Sequence, residues 1–552
     1  MPPNQITGAR SRYAGQLGGC WSHNAMVAGG SALQAAVAQF LRCNLRFDFM
    51  NYALTMARSC AESTASAPTE RVFAKCRTGK HGWVAPPLFL LSMFLVAPGA
   101  RGTVQLTTSI LTGERFAINW NSRGVLEQAS QVSGPWTAVT NAGPYTNAIS
   151  GGAMFFRLNQ TVDATTLHGK VLCGYQGWFR AGGDGGMEWD HWNRDWSIPP
   201  KTNALNMITF EMWPDVSEYT NQYAVPGFIY PDGTPACLYS AQDQQTVDTH
   251  FNWMQEYGID GVVVQRFVTQ TPPDNVQTWK TNVLRYVRAA ANRTGRVFCL
   301  QYDMSGANTN TLFSQLTNDW TYLVDGLKVT QDPRYLYHNG KPVLMIFGFY
   351  PERFPDATLP KQIVAWFKTN TAYGVTLIGS GWWDWRASAT GEWTNIYRSF
   401  HGYCPWNTGN YSLVVSNGVT NKYATTAYWQ GDLAAARNAG MFYLPQVYPG
   451  FSWDNLQQLP PGTSKIPRLA GDFLWKQFYD AAQDGLDMAY VGMFDEVDEG
   501  TAIFKVTNLP PTQGYFVTYE GMPVDWYLRL TAEGSKVIRG ERANQRAIPI
   551  AP

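Results

Sequence analysis

The chain has 552 residues, with 28 Phe, 22 Trp and 28 Tyr but only 15% charged side chains. Few charges and many aromatics exclude intrinsic disorder, and the length calls for one large domain with a small companion. A net charge of +1 leaves no basic field for nucleic acid, so no nucleic-acid partner is expected.

The near-zero sum hides two unlike parts. Residues 1–100 hold nine Lys/Arg against three Asp/Glu, and the remainder holds 33 against 38. Residues 1–79 show little that can be assigned beyond a short helix expected over 31–42 and scattered Cys20, Cys43, Cys60 and Cys76. Lys75, Arg77 and Lys80 then lead into the nine-residue apolar run 88–96 and the small residues 97–100. A basic lead, a short apolar run and small residues are the parts of a secretory signal, too short to span a bilayer comfortably. Residues 1–101 are therefore read as an unassigned extension with a signal-like segment at about 80–101. The expected destination is secreted, periplasmic or the cell surface, without stable membrane insertion. The competing reading makes 88–96 a buried strand or helix.

Residues 103–160 alternate short apolar runs with Gly, Pro and Asn, the grammar of strands and turns. The expectation is a small β-sandwich-like module, too small to be stable alone. Its Ser133-Gly134-Pro135-Trp136-Thr137 and Phe155-Phe156-Arg157-Leu158 stretches resemble the fibronectin-like repeats of secreted bacterial enzymes. A spacer or docking role is favoured over carbohydrate binding.

From about residue 168 the grammar changes to strand–helix alternation, which implies a parallel sheet. Eight strands are expected at 171–179, 259–268, 296–304, 342–349, 374–382, 400–406, 441–448 and 488–495. Helices are expected over 244–257, 275–292 and 467–484, the last with Pro467 in its first turn and Gly485 at its end. The predicted fold over 168–545 is an α/β (β/α)8 TIM barrel. The run 206–211 is a spare strand candidate placed in the loop after the first strand. The remaining cysteines, Cys173, Cys237, Cys299 and Cys404, read as thiols rather than a disulfide framework.

Chemistry in such barrels sits at the C-terminal ends of the strands. Those ends carry Tyr175, Gln176 and Trp178; Gln265 and Arg266; Asp303; Trp382, Trp383 and Asp384; Trp406; and Tyr448. With His191 and Trp192 from the first loop they form an aromatic and amide rim suited to a ring-shaped polar ligand. Arg266 fits equally a substrate hydroxyl and neutralisation of nearby carboxylates. Lys280, Arg285, Arg288 and Arg293 read as the solvated face of their helix. The eighth strand ends in Asp495-Glu496-Val497-Asp498-Glu499. Glycoside hydrolysis needs two carboxylates, one raised in pKa to act as acid. Glu496 and Glu499 are the catalytic candidates, with Asp495 and Asp498 beside them. The bland reading is a Ca²⁺ site or a solvated acidic turn. No zinc-ligand spacing, phosphate loop, dinucleotide fingerprint or serine nucleophile elbow occurs, so neither cofactor nor metal is expected.

The segment Phe494-Asp-Glu-Val-Asp-Glu-Gly-Thr501 resembles the F-N-E-W-H-E-G-T signature of glycoside hydrolase family 99, the endo-α-mannosidases and endo-α-mannanases. Gly174-Tyr-Gln-Gly-Trp-Phe179 with His191-Trp192 is similar to that family's opening motif, and 170–545 looks like the bacterial family 71/99-like group. The resemblance implies that Glu496 acts as base on the substrate's own 2-hydroxyl, through a 1,2-anhydro sugar, and that Glu499 is the acid/base. Asp495, Val497 and Asp498 stand where the signature has Asn, Trp and His. The related family 71, which holds α-1,3-glucanases, inverts. The leading expectation is thus an exported hydrolase of an α-linked, mannan-like or glucan-like polysaccharide or glycan. The rivals are a non-catalytic carbohydrate-binding barrel, with or without Ca²⁺, and a structural surface protein.

Overall fold

The computed structural model describes residues 106–552, except 112–114, 121–123, 132–134, 141–142, 149–153, 272–278 and 417. The extension, its signal-like segment, the 31–42 helix and the first four cysteines lie outside the described residues.

Six short strands precede the barrel. Leu106–Leu111, Arg115–Trp120 and Tyr145–Ala148 form one antiparallel sheet; Thr137–Thr140, Val125–Ala129 and Phe155–Asn159 form another. Ile118 of the first sheet packs with Leu126 and Phe156 of the second, and the Phe116, Tyr145 and Phe156 rings close the gap at 5.7–6.2 Å. So small a core stabilises little. The chain leaving it is tied to the barrel instead: Val162 N–H donates to the Gly295 carbonyl at 2.8 Å and Tyr337 N–H to that of Ala164 at 2.7 Å. The Arg296 and Arg334 guanidiniums also reach the Gln160 and Val162 carbonyls. Gly295 and Arg296 stand at the N-terminal start of a barrel strand, so the module joins the end of the barrel opposite the rim.

The barrel strands are parallel. Val171–Tyr175, Gly261–Phe267, Val297–Asp303, Lys341–Phe349, Thr376–Gly381 and Gly402–Pro405 pair in sequence order, and Ala489–Val491 pairs back onto the first. The expected seventh strand, 441–448, is two pieces. Phe442–Tyr443 pairs with the sixth strand and Gln446–Val447 with the eighth. Pro445, which has no N–H to donate, sits at the break. Its carbonyl still accepts from Tyr490 N at 2.9 Å, and Leu444 N–H donates to Tyr403 at 3.0 Å. The eight strands therefore close into a (β/α)8 barrel.

Two expected strands are too long at their C-terminal ends. The first stops at Tyr175 and the eighth at Val491, so the carboxylate run lies on the loop beyond the strand rather than at its end. The expected 244–257 helix is Gln244–Glu256, and the described part of the 275–292 helix is Trp279–Thr294. The 467–484 helix starts late, at Asp472, capped by Gly471 at φ 98°; Pro467 lies before it, and Gly485 follows its end at φ 70°. The 206–211 run is not a strand: it starts in the 3-10 turn Leu205–Met207, makes one bridge at Ile208 and continues as loop. Lys280 is not on a solvated face: it is buried, and Arg288 and Arg293 of the same helix are paired with Asp332 and Asp248. Cys173, Cys299 and Cys404 are buried and, with the half-buried Cys237, free.

Candidate active site

Past Val491 the chain turns across the C-terminal mouth of the barrel. Gly500 N–H donates to the Val497 carbonyl and Thr501 N–H to that of Glu496, closing a turn that carries all four carboxylates. Gly500 adopts φ 61°, a left-handed conformation that favours glycine.

Each carboxylate meets a different environment. Asp495 accepts the backbone N–H of Gln176 at 2.8 Å on one oxygen and that of Gly177 at 2.9 Å on the other. It ties the eighth strand's loop to the first strand's and explains why the first strand stops at Tyr175. Glu496 accepts Gln176 Nε2 and the Asp498 N–H, both at 2.8 Å. One Asp498 oxygen shares a hydrogen bond with His191 Nδ1 at 2.8 Å, while the other is buried without a partner among the described residues. None of the described residues donates to the carboxylate of Glu499, which is half-buried at the mouth.

Burial raises the pKa of all four. The Asp495 carboxyl is pushed up to about 6 by desolvation, against the two backbone donors and Lys280. Desolvation and the neighbouring Glu499 and Asp495 charges hold Glu496 well above the usual carboxylate range. Asp498 is raised by burial and by Glu496, Glu499 and Glu211. Glu499 is pushed to about 7 by burial, with the charge of Asp303 adding. The cluster thus holds protons at neutral pH. Part of the rise at Glu496 comes from the Glu499 charge, which is absent when Glu499 holds a proton; the two N–H donors then favour charge on Glu496.

Of the expected rim, Glu496, Glu499, Asp495, Asp498 and His191 come together. Asp303 joins them through its effect on Glu499, its own carboxylate taking Ser305 N–H at 2.7 Å. Half-buried Trp382, Asp384 and Trp406 and the exposed Trp383 remain on the rim; Trp406 packs edge-on to Phe347 at 5.0 Å and Trp383 lies 5.3 Å from Tyr428. Gln265 points into the barrel, its Nε2 donating to Tyr490 Oη at 3.2 Å. Trp178 stacks on His191 at 3.8 Å and on Phe267 at 5.3 Å, so it is a support for His191 more than an open platform. Trp196 is exposed and tilts over the same histidine at 5.6 Å.

Four residues expected at the rim lie elsewhere. Tyr175 is buried with its hydroxyl on His250 Nδ1 at 2.9 Å, in the layer between strand and helix. Trp192 is buried against Phe179 at 4.4 Å, its indole N–H on the Tyr239 carbonyl. Tyr448 is buried in a separate cluster with Phe473, its hydroxyl on the Asn410 carbonyl. Arg266 does neither thing foreseen for it: it makes a two-pronged pair with Asp319, both contacts at 2.6 Å. Lys280, expected on a solvated face, instead lies buried beside the site. Its ammonium approaches the Gln176 carbonyl at 3.4 Å and the Trp279 ring at 4.4 Å, and burial lowers it to about 7. Nothing in its helical spacing marks it; only its being buried does.

The oxygens of Asp495 and Glu496 face N–H donors, which a cation would have to displace. Among the described residues no three His, Cys, Asp or Glu side chains are arranged as metal ligands, and no helix is long and apolar enough to cross a membrane.

No known family's sequence profile matches the chain, and no curated protein matches it in sequence. In structure it is similar to the GH99 endo-α-mannosidase of Bacteroides thetaiotaomicron, seen alone and with bis-tris-propane. Both share 18% identity and a TM-score of 0.50, covering 68% of this chain and 99% of that one. A glycoside hydrolase-like protein aligns at 14% identity and TM-score 0.39 over 68% of this chain and 95% of its own. The barrel fold is thus one that glycoside hydrolases use.

Proposed function

We propose that the protein is a glycoside hydrolase acting on an α-linked polysaccharide or glycan, with Glu499 as acid/base and Glu496 as the partner carboxylate. The observation that carries this is the unequal solvation of the pair. Among the described residues Glu496 receives two N–H donors and Glu499 none, within one turn at the barrel's C-terminal mouth. Glycoside cleavage needs this division, a protonated acid beside a carboxylate.

On this reading Glu499 donates its proton to the departing glycosidic oxygen. Following the family 99 resemblance, the Glu496 carboxylate takes the proton of the sugar 2-hydroxyl and that oxygen closes on C1. Water then opens the anhydro ring, giving one proton to Glu499 while Glu496 returns its proton to the 2-oxygen, with overall retention. The chain is read as exported, with the small module as spacer.

The test is reducing-end release by residues 103–552 on α-mannans, α-1,3-glucans and other α-linked glycans, beside Glu496→Gln. Release by the parent only, with a retained anomer, is expected. An inverted anomer would make Glu496 the base that activates water. Unimpaired release by Glu496→Gln would remove it from the chemistry. Binding without release on every substrate would favour a carbohydrate-binding barrel.

A further inference from the structure

We propose that Glu211 is a positioning residue for the catalytic turn, a buried carboxyl that fixes Glu499 through Ser452. The inference rests on the glycosidase reading for its catalytic consequence, but its geometry stands apart from it.

Glu211 is fully buried at the end of the 206–211 run. Its backbone N–H donates to the Val497 carbonyl at 2.7 Å, and its own carbonyl accepts Val517 N–H at 2.7 Å. Its side chain accepts Ser452 Oγ at 2.7 Å on one oxygen and Asn455 N–H at 2.5 Å on the other. Ser452 N–H in turn donates to the Glu499 carbonyl at 2.9 Å. Three loops that follow different barrel strands meet on this one carboxyl: 205–211, 451–457 and the carboxylate turn.

The packing leaves the turn no slack. A β-carbon on Gly500 would lie 3.2 Å from Ser452 N and 3.5 Å from the Glu211 β-carbon. Arg468 holds the far side, donating to the Gly500 and Ala502 carbonyls, each at 2.8 Å. Among the described residues none donates to the Glu499 side chain, so its backbone is what places its carboxylate. What fixes that backbone fixes the acid. A buried carboxyl is a costly way to join loops, and burial pushes this one up to about 7. In its protonated form it has the shape of glutamine.

The test compares Glu211→Ala, Glu211→Gln and Ser452→Ala in the full chain. Glu211→Ala should lower kcat by about 10- to 100-fold with KM little changed, as small misplacement of a catalytic group does. Glu211→Gln should restore kcat to within about threefold, since it can bridge the same loops. Ser452→Ala, which keeps its backbone N–H, should fall between them and serves if Glu211→Ala fails to fold. Hydrogen exchange should rise in peptides covering 494–501 and 451–457 in Glu211→Ala but not in Glu211→Gln. Equal kcat in folded Glu211→Ala, or a rise in exchange spread evenly over the barrel, would overturn the proposal. If the parent turns over no glycan the functional reading fails, and the exchange pattern still decides the positioning role.

Discussion

Glu499→Gln is expected to lower kcat on a natural glycan by about 10³-fold with little change in KM, because general acid catalysis contributes on that scale. The loss should shrink to about tenfold on a substrate with a good leaving group, which needs no proton. The parent's turnover should fall as pH rises through about 7, where Glu499 gives up its proton, and the variant's residual activity should lack that limb. The parent's stability should fall over the same rise in pH. The folded carboxyl titrates near 7 and the unfolded one near 4.5, so its stabilising contribution is complete below 4.5 and is lost as pH rises toward 7. Glutamine has no such loss. The variant should therefore match the parent at pH 4.5 and exceed it at pH 8, by roughly 2 kcal/mol after allowing for solvent screening. Urea midpoints at the two pH values measure this. An inactive variant no more stable at pH 8 would mean that Glu499 is not held protonated.

The same carboxylate turn shows what the extra charges do. Where the family 99 signature has Asn and His, this chain has Asp495 and Asp498. Asp495 spends both oxygens on the Gln176 and Gly177 backbone and so works as a structural clamp. Asp498 is answered by His191, which Trp178 stacks from its face. Asp495 is thus spent within the protein although its charge still raises Glu496, while Asp498 keeps one buried oxygen without a partner among the described residues.

The strands were legible because each is an apolar run of the right length between turn residues. Their ends were not, since the stops depend on contacts made far along the chain, such as Asp495 with Gln176. Which face a strand-end residue takes was also hidden. In a closed parallel barrel both faces are buried, one by the lumen and one by helices, so alternation carries no label for either. Gln265 took the lumen; Tyr175 and Arg266 took the helix side, where His250 and Asp319 wait on helices Gln244–Glu256 and Thr309–Thr321. The carboxylate pair was readable because its residues are adjacent. Glu211 and Lys280 were not, because each lies more than 200 residues from the carboxylate run it supports.

Arg266 sets the second large effect. With Asp319 it forms a fully buried pair, and Tyr302 adds its hydroxyl to the same carboxylate at 2.6 Å. Removing one partner leaves a buried charge without its counter-charge, at about 3–5 kcal/mol. Arg266→Met is expected to lose stability on that scale, with the folded fraction keeping its kcat/KM. Asp319→Leu alone should lose a similar amount. The double variant should recover much of the loss, because two apolar side chains of like volume need no countercharge. If Arg266 instead served the substrate, Arg266→Met would raise KM while leaving the urea midpoint near that of the parent, and Asp319→Leu would not repair it. The pair lies one residue along the strand from Gln265, which faces the lumen, so alternation alone turns it away from the mouth. The measurement separates what holds the barrel closed from what the barrel holds at its mouth.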